Sequence, residues 1–479
     1  MKSSAQATAA ILAFLSLEFL GASLGASAHA DEPTALFALK GETLGIEIRG
    51  ASGVELPAGA HAFEIKTVET KIPSFKGARV GTYEDPVVPV SAITAGGNYW
   101  VDYPVARDAE PGIETVRIAG RDFTLTVVDA EIPTNPTVPL YMELQSRQTV
   151  IAHGLEENVV VQGPLTKKYV DLYREHRIEP IKQAITQYPT EDLDQWGQFG
   201  ASWRQLVLDG AIAPPCLFGP DFWRDPDVNM LHRIATQVPN GWIYAWDEGE
   251  YNAYMTGLAL ARVQMLKREV PNTRLMITRQ ESPDFRPYID EFTPVLDWFK
   301  QPGMMQDYTK TYGLYTSCMA QGNCKDQTAE SAEGPTGTPM MVLDAPAVHT
   351  RAFPVMIYSM GASYGLYFNG TQNLPTAWAP GGLYNEGGNG DGTLVYPCGD
   401  GPCASLRMKH LRQGMNDVEW MVLAHAKGIA VESPVKSAFD WSKEVSDYDA
   451  IRSKVAAALV AASGNDVIAP SEIAPLVRE

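Results

Sequence analysis

Two neighbouring carboxylates, Asp247 and Glu248, directly follow an apolar, aromatic run in Gly241-Trp-Ile-Tyr-Ala-Trp-Asp-Glu-Gly249. Set about 5 Å apart at an effective dielectric near 20, two charged carboxylates repel by about 3 kcal/mol, close to two pKa units. One is therefore held protonated, and desolvation by Trp242, Tyr244 and Trp246 pushes the same way. A protonated acid beside a charged one is what general acid catalysis with an orienting partner requires. Adjacent strand residues normally face opposite sides. Both acids reach one cleft only if the chain bends, which Gly249 permits. A second reading needs no chemistry, because Asp-Glu at a strand end also caps the helix that follows.

Sugar sites combine flat aromatic walls with polar groups for hydroxyls. Tyr244, Trp298, Tyr367 and Asn369 fall near predicted strand ends, and Trp378, Tyr384, Asn389 and Asp391 on the long loop after the last strand. Arg407, Arg412, Asp417 and Glu419 read as ion pairs pinning that loop, while His176 and Arg177 fit either a cleft wall or a structural pair. Gly361-Ala-Ser-Tyr-Gly365 matches G-x-S-x-G but has a helix before it and a strand after, the reverse of a nucleophile elbow. Asn389-Gly-Asp-Gly lacks the remainder of a calcium loop, so no cofactor or metal is expected. Of five cysteines, Cys318/Cys324 and Cys398/Cys403 are spaced for small disulfide loops and not for zinc, leaving Cys216 single.

The elements that must position these residues change character along the chain. Lys2, the apolar stretch Ala9 to Leu24 and Ala28-His-Ala30 read as a signal peptide over residues 1–30, predicting export to the periplasm or the exterior. No later stretch is apolar enough to span a bilayer, so no membrane span is expected in the mature chain. Residues 31–135 alternate at period two, as in Leu44–Arg49, Ala62–Lys66 and Phe123–Val128, which predicts a β-sandwich. The proline-rich Ile132–Pro139 is a linker. Residues 136–426 alternate strands with helices. The strands expected are Leu140–Leu144, Ile178–Ala184, Trp203–Leu208, Trp242–Trp246, Arg274–Thr278, Val295–Phe299, Met340–Leu343 and Tyr364–Phe368. Helices are expected at Leu165–His176, Val228–Thr236, Tyr251–Arg268, Val348–Met360 and Ser405–Ala426. Eight strands over about 230 residues predict an α/β fold of the (β/α)8 TIM-like barrel type, with its site at the C-terminal strand ends. Residues 427–479 form a small helical appendage in this reading. The net charge of −19 argues against a nucleic-acid partner.

Four blocks in order resemble the catalytic domain of glycoside hydrolase family 123 and its uncharacterised relatives, over roughly residues 115 to 425. They are Phe123–Pro133, Tyr169–Pro180, Tyr244-Ala-Trp-Asp-Glu248, and Asn389–Pro397 followed by Ser405–Glu419. The resemblance implies retaining, substrate-assisted hydrolysis of a 2-acetamido-sugar glycan, as by a β-N-acetylgalactosaminidase. It implies Glu248 as the acid that protonates the leaving oxygen and Asp247 as the group holding the acetamido nitrogen. Such an enzyme needs no protein nucleophile on the opposite face, so two neighbouring acids suffice. The alternative is a carbohydrate-binding or envelope protein that keeps the barrel without hydrolysing; a serine esterase is a distant third.

Overall fold

Alternating burial along the N-terminal strands builds two stacked sheets. The computed structural model describes residues 34–75, 77–155, 159–181, 216–218, 228, 232, 242–247, 253–300, 309–318, 337–385 and 388–463. The first seven strands are β1 (Thr34–Lys40), β2 (Thr43–Ile48), β3 (His61–Glu69), β4 (Thr82–Val90), β5 (Tyr99–Pro104), β6 (Gly112–Ile118) and β7 (Arg121–Glu131). Sheet β1-β7-β6 lays Leu36, Ala38, Phe123 and Leu125 against Leu44, Ile46, Tyr99 and Val101 of β2 and β5. Intervening residues such as Leu39, Trp100 and Val128 face the other way and join the main core, so both faces are covered.

Eight parallel strands follow: β8 (Leu140–Glu143), β9 (Glu179–Ile181), β10 (Cys216–Phe218), β11 (Trp242–Trp246), β12 (Arg274–Ile277), β13 (Glu291–Phe292), β14 (Thr311–Thr316) and β15 (Tyr364–Tyr367). Their order is β10-β11-β12-β13-β14-β15-β8-β9. Helices α1 (Ser146–Ala152) and α2 (Val159–Glu175) lie between β8 and β9, α3 (Ala253–Glu269) between β11 and β12, and α4 (Val348–Ser359) between β14 and β15.

Among the described residues the closed (β/α)8 barrel expected from the sequence does not form. Among the described residues β9 and β10 are the two edges of an open, half-barrel sheet. Nor does a helix follow every strand. The β12–β13 connection is non-helical and carries Pro283 and Pro287, each of which removes an amide donor and clashes with a helical turn. Only a 3₁₀ turn, Leu296–Lys300, separates β13 from β14 among the described residues. That turn occupies the run expected as the sixth strand, whose place is taken by Glu291–Phe292. The expected seventh strand, Met340–Leu343, is buried but irregular, and Thr311–Thr316 pairs in its stead. The expected third strand, Trp203–Leu208, lies outside the described residues, as does most of the helix expected at 228–236.

After β15 a long loop carries the short hairpin β16 (Tyr384–Asn385) and β17 (Gly388–Asn389). A second hairpin, β18 (Val395–Cys398) and β19 (Gly401–Ser405), is cross-linked by the Cys398–Cys403 disulfide. It returns to the N-terminal region, where Ala404 pairs with Val87 of β4, completing the six-stranded antiparallel sheet β18-β19-β4-β3-β5-β2. Cys318 is disulfide-bonded as well, while Cys324, its expected partner, lies outside the described residues.

Helix α5 (Leu406–Lys427) starts where Ser405 Oγ accepts from the Met408 amide, and ends at left-handed Gly428. It is buried along most of its length, so its charges must be matched. Arg407 binds Asp85, Lys409 and Arg412 share Asp102, and Asp417 lies between Arg351 and Arg452 of α6 (Val445–Ser463). Arg407 also donates to the carbonyls of Gly390 and Thr393, pinning the long loop as expected. Glu419 accepts from Arg177 at 2.9 Å, and His176 is buried against the Leu172 carbonyl. Those two are structural.

Candidate active site

The parallel strands direct alternate side chains inward, where Ile181, Trp242, Tyr244, Met276, Val295, Tyr315 and Leu366 form one cluster. Outward-facing Ile243, Ala245, Leu275 and Ile277 pack with Ala259, Val263 and Leu266 of α3. Strict alternation along β11 would put Asp247 on the same side as Ile243 and Ala245. A register shift prevents this. Tyr244 pairs with Met276, but the next β11 residue in register, opposite Ile277, is Trp246. The extra residue is a β-bulge, a feature that re-aims side chains at strand ends. Trp246 then joins the outer cluster, and Asp247 turns to the side of Tyr244.

There Asp247 is half-buried, and its Oδ1 accepts from the Tyr244 phenol at 2.6 Å and from Thr278 Oγ1 at 3.2 Å. The two hydroxyls are 2.7 Å apart. Thr278 immediately follows β12, and its amide donates to the Trp246 carbonyl at 3.3 Å. Sequence reading missed Thr278 as a site residue. The available signal was a hydroxyl at the C-terminal end of the strand next to the acid-bearing one, the end where parallel sheets carry their chemistry. Deeper along the inner face, burial pushes the Tyr141 and Tyr364 phenols upward, so both stay neutral.

Of the other expected site residues, Trp298 sits half-buried in the 3₁₀ turn and packs on the inner cluster. Glu248 lies outside the described residues. Tyr367, Asn369, Asn389 and Asp391 are fully buried and form the frame of the long loop, away from any exposed wall. Asp391 accepts from Tyr367 at 2.9 Å and Ser317 at 3.0 Å. Asn369 Oδ1 accepts from the Thr371 amide. Asn389 Nδ2 reaches the Ile72 carbonyl at 2.7 Å and Asp344 at 3.0 Å, fastening the loop to the β3–β4 connection. Left-handed Gly390 and Gly392 have a packing reason too, since a Cβ would strike Arg407 or Phe368. Tyr384 is half-buried in the short hairpin, paired with Asn389. Trp378 is exposed, packs on Tyr396 with ring centroids 5.1 Å apart, and donates to the Pro397 carbonyl. The structure thus gathers Asp247, Tyr244 and Trp298 toward one face and uses the loop residues as scaffold.

A small cavity bounded by Leu36, Gly45, Gln413 and Arg452, and an open cleft bounded by Lys436, Trp441 and Lys454, do not include Asp247. No grouping of three or more metal-ligating side chains occurs among the described residues.

No family model and no curated protein matches the chain. A solved structure does: that of a family 123 glycoside hydrolase from Clostridium perfringens, described for glycolipid glycan hydrolysis. The TM-score is 0.63 over 90% of this chain and 95% of the clostridial one, at 11% identity. The two chains share a fold. The likeness to the clostridial hydrolase runs through both the stacked sheets and the parallel sheet, given that coverage.

Proposed function

We propose that the protein is a glycoside hydrolase acting on a 2-acetamido-sugar glycan, by retaining, substrate-assisted hydrolysis of the β-N-acetylgalactosaminidase kind. The observation that carries the reading is the bulge in β11, which turns Asp247 inward at the C-terminal end of a parallel strand. The fold shared with the clostridial hydrolase supports it. In this mechanism Asp247 accepts a hydrogen bond from the acetamido N–H, which aims the acetamido oxygen at the anomeric carbon. Glu248 gives its proton to the leaving oxygen as the glycosidic bond breaks and the acetamido oxygen bonds to carbon. It then takes a proton from the water that opens this intermediate. Two inversions at one carbon give net retention. Trp298 and neighbouring aromatic side chains offer surface for the pyranose ring.

Export is part of the proposal, supported by the signal-peptide pattern of residues 1–30 and by the Cys398–Cys403 disulfide, a bond that persists in oxidising compartments. Among the described residues no helix is long and apolar enough to cross a membrane.

The test is a panel of aryl β-glycosides with and without a 2-acetamido group, assayed with wild type and Glu248→Gln. The expected result is cleavage confined to the 2-acetamido members and a loss of about 10²-fold or more in Glu248→Gln. Wild type that binds these sugars and cleaves none would favour a carbohydrate-binding protein instead.

A further inference from the structure

We propose that Thr278 is a positioning residue for Asp247, acting through its hydroxyl on the Tyr244–Asp247 pair. The assignment rests on the reading of Asp247 as the acid that orients substrate. Three oxygen atoms, Thr278 Oγ1, Tyr244 OH and Asp247 Oδ1, lie within 3.2 Å of one another. A carboxylate brings no proton and each hydroxyl brings one. The short 2.6 Å contact assigns the phenol proton to Asp247, and the threonine hydroxyl lies within hydrogen-bond distance of both the phenol oxygen and Oδ1, where it can donate to one or the other. Either way the hydroxyl strengthens donation to the carboxylate, since linked hydrogen bonds polarise one another.

Packing does not account for this residue. Thr278 is fully buried after β12, where valine would have the same shape and equal preference for extended backbone. The hydroxyl is what valine would lack. The Thr278 amide also holds the Trp246 carbonyl, so one residue fixes both the backbone just before Asp247 and the carboxylate itself.

The experiment compares full-length wild type, Thr278→Val and Thr278→Ser by two readouts. The first is turnover of a 2-acetamido aryl glycoside. Thr278→Val should lower kcat by about tenfold, the scale of one lost hydrogen bond in a network. It should also move the acid limb of the pH profile upward, because donors to a carboxylate favour its charged form. Thr278→Ser should restore both. The second readout needs no turnover: the Asp247 carboxyl is titrated by carbon-13 NMR in aspartate-labelled protein, its signal identified by loss in Asp247→Asn. Its midpoint should rise in Thr278→Val and return in Thr278→Ser. Should the valine variant not fold, Thr278→Ala carries the same expectation. An unmoved midpoint, or a loss that serine does not rescue, overturns the role of Thr278. Inactive wild type with a moving midpoint overturns the glycosidase reading and leaves Thr278 in place.

Discussion

The acids along α5 and the acid at the end of β11 are held by different chemistry. Asp102 lies between Lys409 at 2.7 Å and Arg412, with the Trp100 indole donating as well. Burial alone would raise its carboxyl, but Arg412 and Lys409 hold it far below the usual range. Asp417 sits 2.7 Å from Arg351 and 2.6 Å from Arg452. Neighbouring cations commit Asp102 to the charged form, and the seam that both acids build joins the stacked sheets to the helices. Asp247 is half-buried and takes hydrogen bonds from the Tyr244 and Thr278 hydroxyls. Those two hydroxyls orient the carboxylate without neutralising it, as the substrate-orienting role proposed for Asp247 requires. One region uses carboxylates to close a structure; the other presents a carboxylate.

The comparison breaks most readily at Asp102. Asp102→Ala leaves Lys409 and Arg412 buried without their counter-ion and should cost about 3 to 5 kcal/mol, read as a lower midpoint in urea unfolding. A loss below about 1 kcal/mol, the scale of an exposed pair, would mean that the seam is not the joint described here.

Acid should act on the same region through its histidines. Burial lowers His410 to about 4 and His349 to about 3, and holds His176 well below its ordinary value. Between the unfolded value near 6.5 and these native values the unfolded chain binds more protons, so stability is full above about pH 6.5 and falls as pH drops. His410 alone accounts for about 3 kcal/mol by pH 4. Thermal midpoints measured from pH 7 to pH 4 should fall steeply, and His410→Gln should flatten part of the fall.

The smallest stability effect belongs to the site. Asp247→Asn keeps shape and loses charge, and should change unfolding free energy by about 1 kcal/mol or less while lowering turnover by about 10²-fold. A stability loss as large as that of Asp102→Ala would erase the distinction between the two regions.

Much of this arrangement is legible in the sequence. Period-two runs give the stacked sheets, and Trp242–Trp246 reads correctly as a strand ending in acid. Arg407, Arg412, Asp417 and Glu419 form ion pairs as expected, but only Arg407 also holds the long loop; the other three tie α5 to Asp102, to Arg351 and Arg452, and to Arg177. The misses have physical causes. Val295–Phe299 and Met340–Leu343 are short apolar runs, and burial in a loop or a 3₁₀ turn selects the same residues as a strand. β13 is two residues long, too short for any periodicity. The bulge at Ala245–Trp246 is invisible because every residue of that strand is buried, so no polar position marks the change of face. Asn389 and Asp391 have the composition of a sugar site, yet their amide and carboxylate groups are used to fasten the loop to Ile72, Asp344, Tyr367 and Ser317.

The hairpin that completes the six-stranded sheet also sets a schedule for synthesis. β4 leaves the ribosome early, but its neighbour β19 follows only after about three hundred more residues, on the order of tens of seconds at ~5–20 residues per second. Throughout that interval one flank of β4 offers bare amides and carbonyls, the form of strand that recruits foreign chains. A nascent protein of this kind gains from a chaperone that shields β4 until the last hairpin arrives.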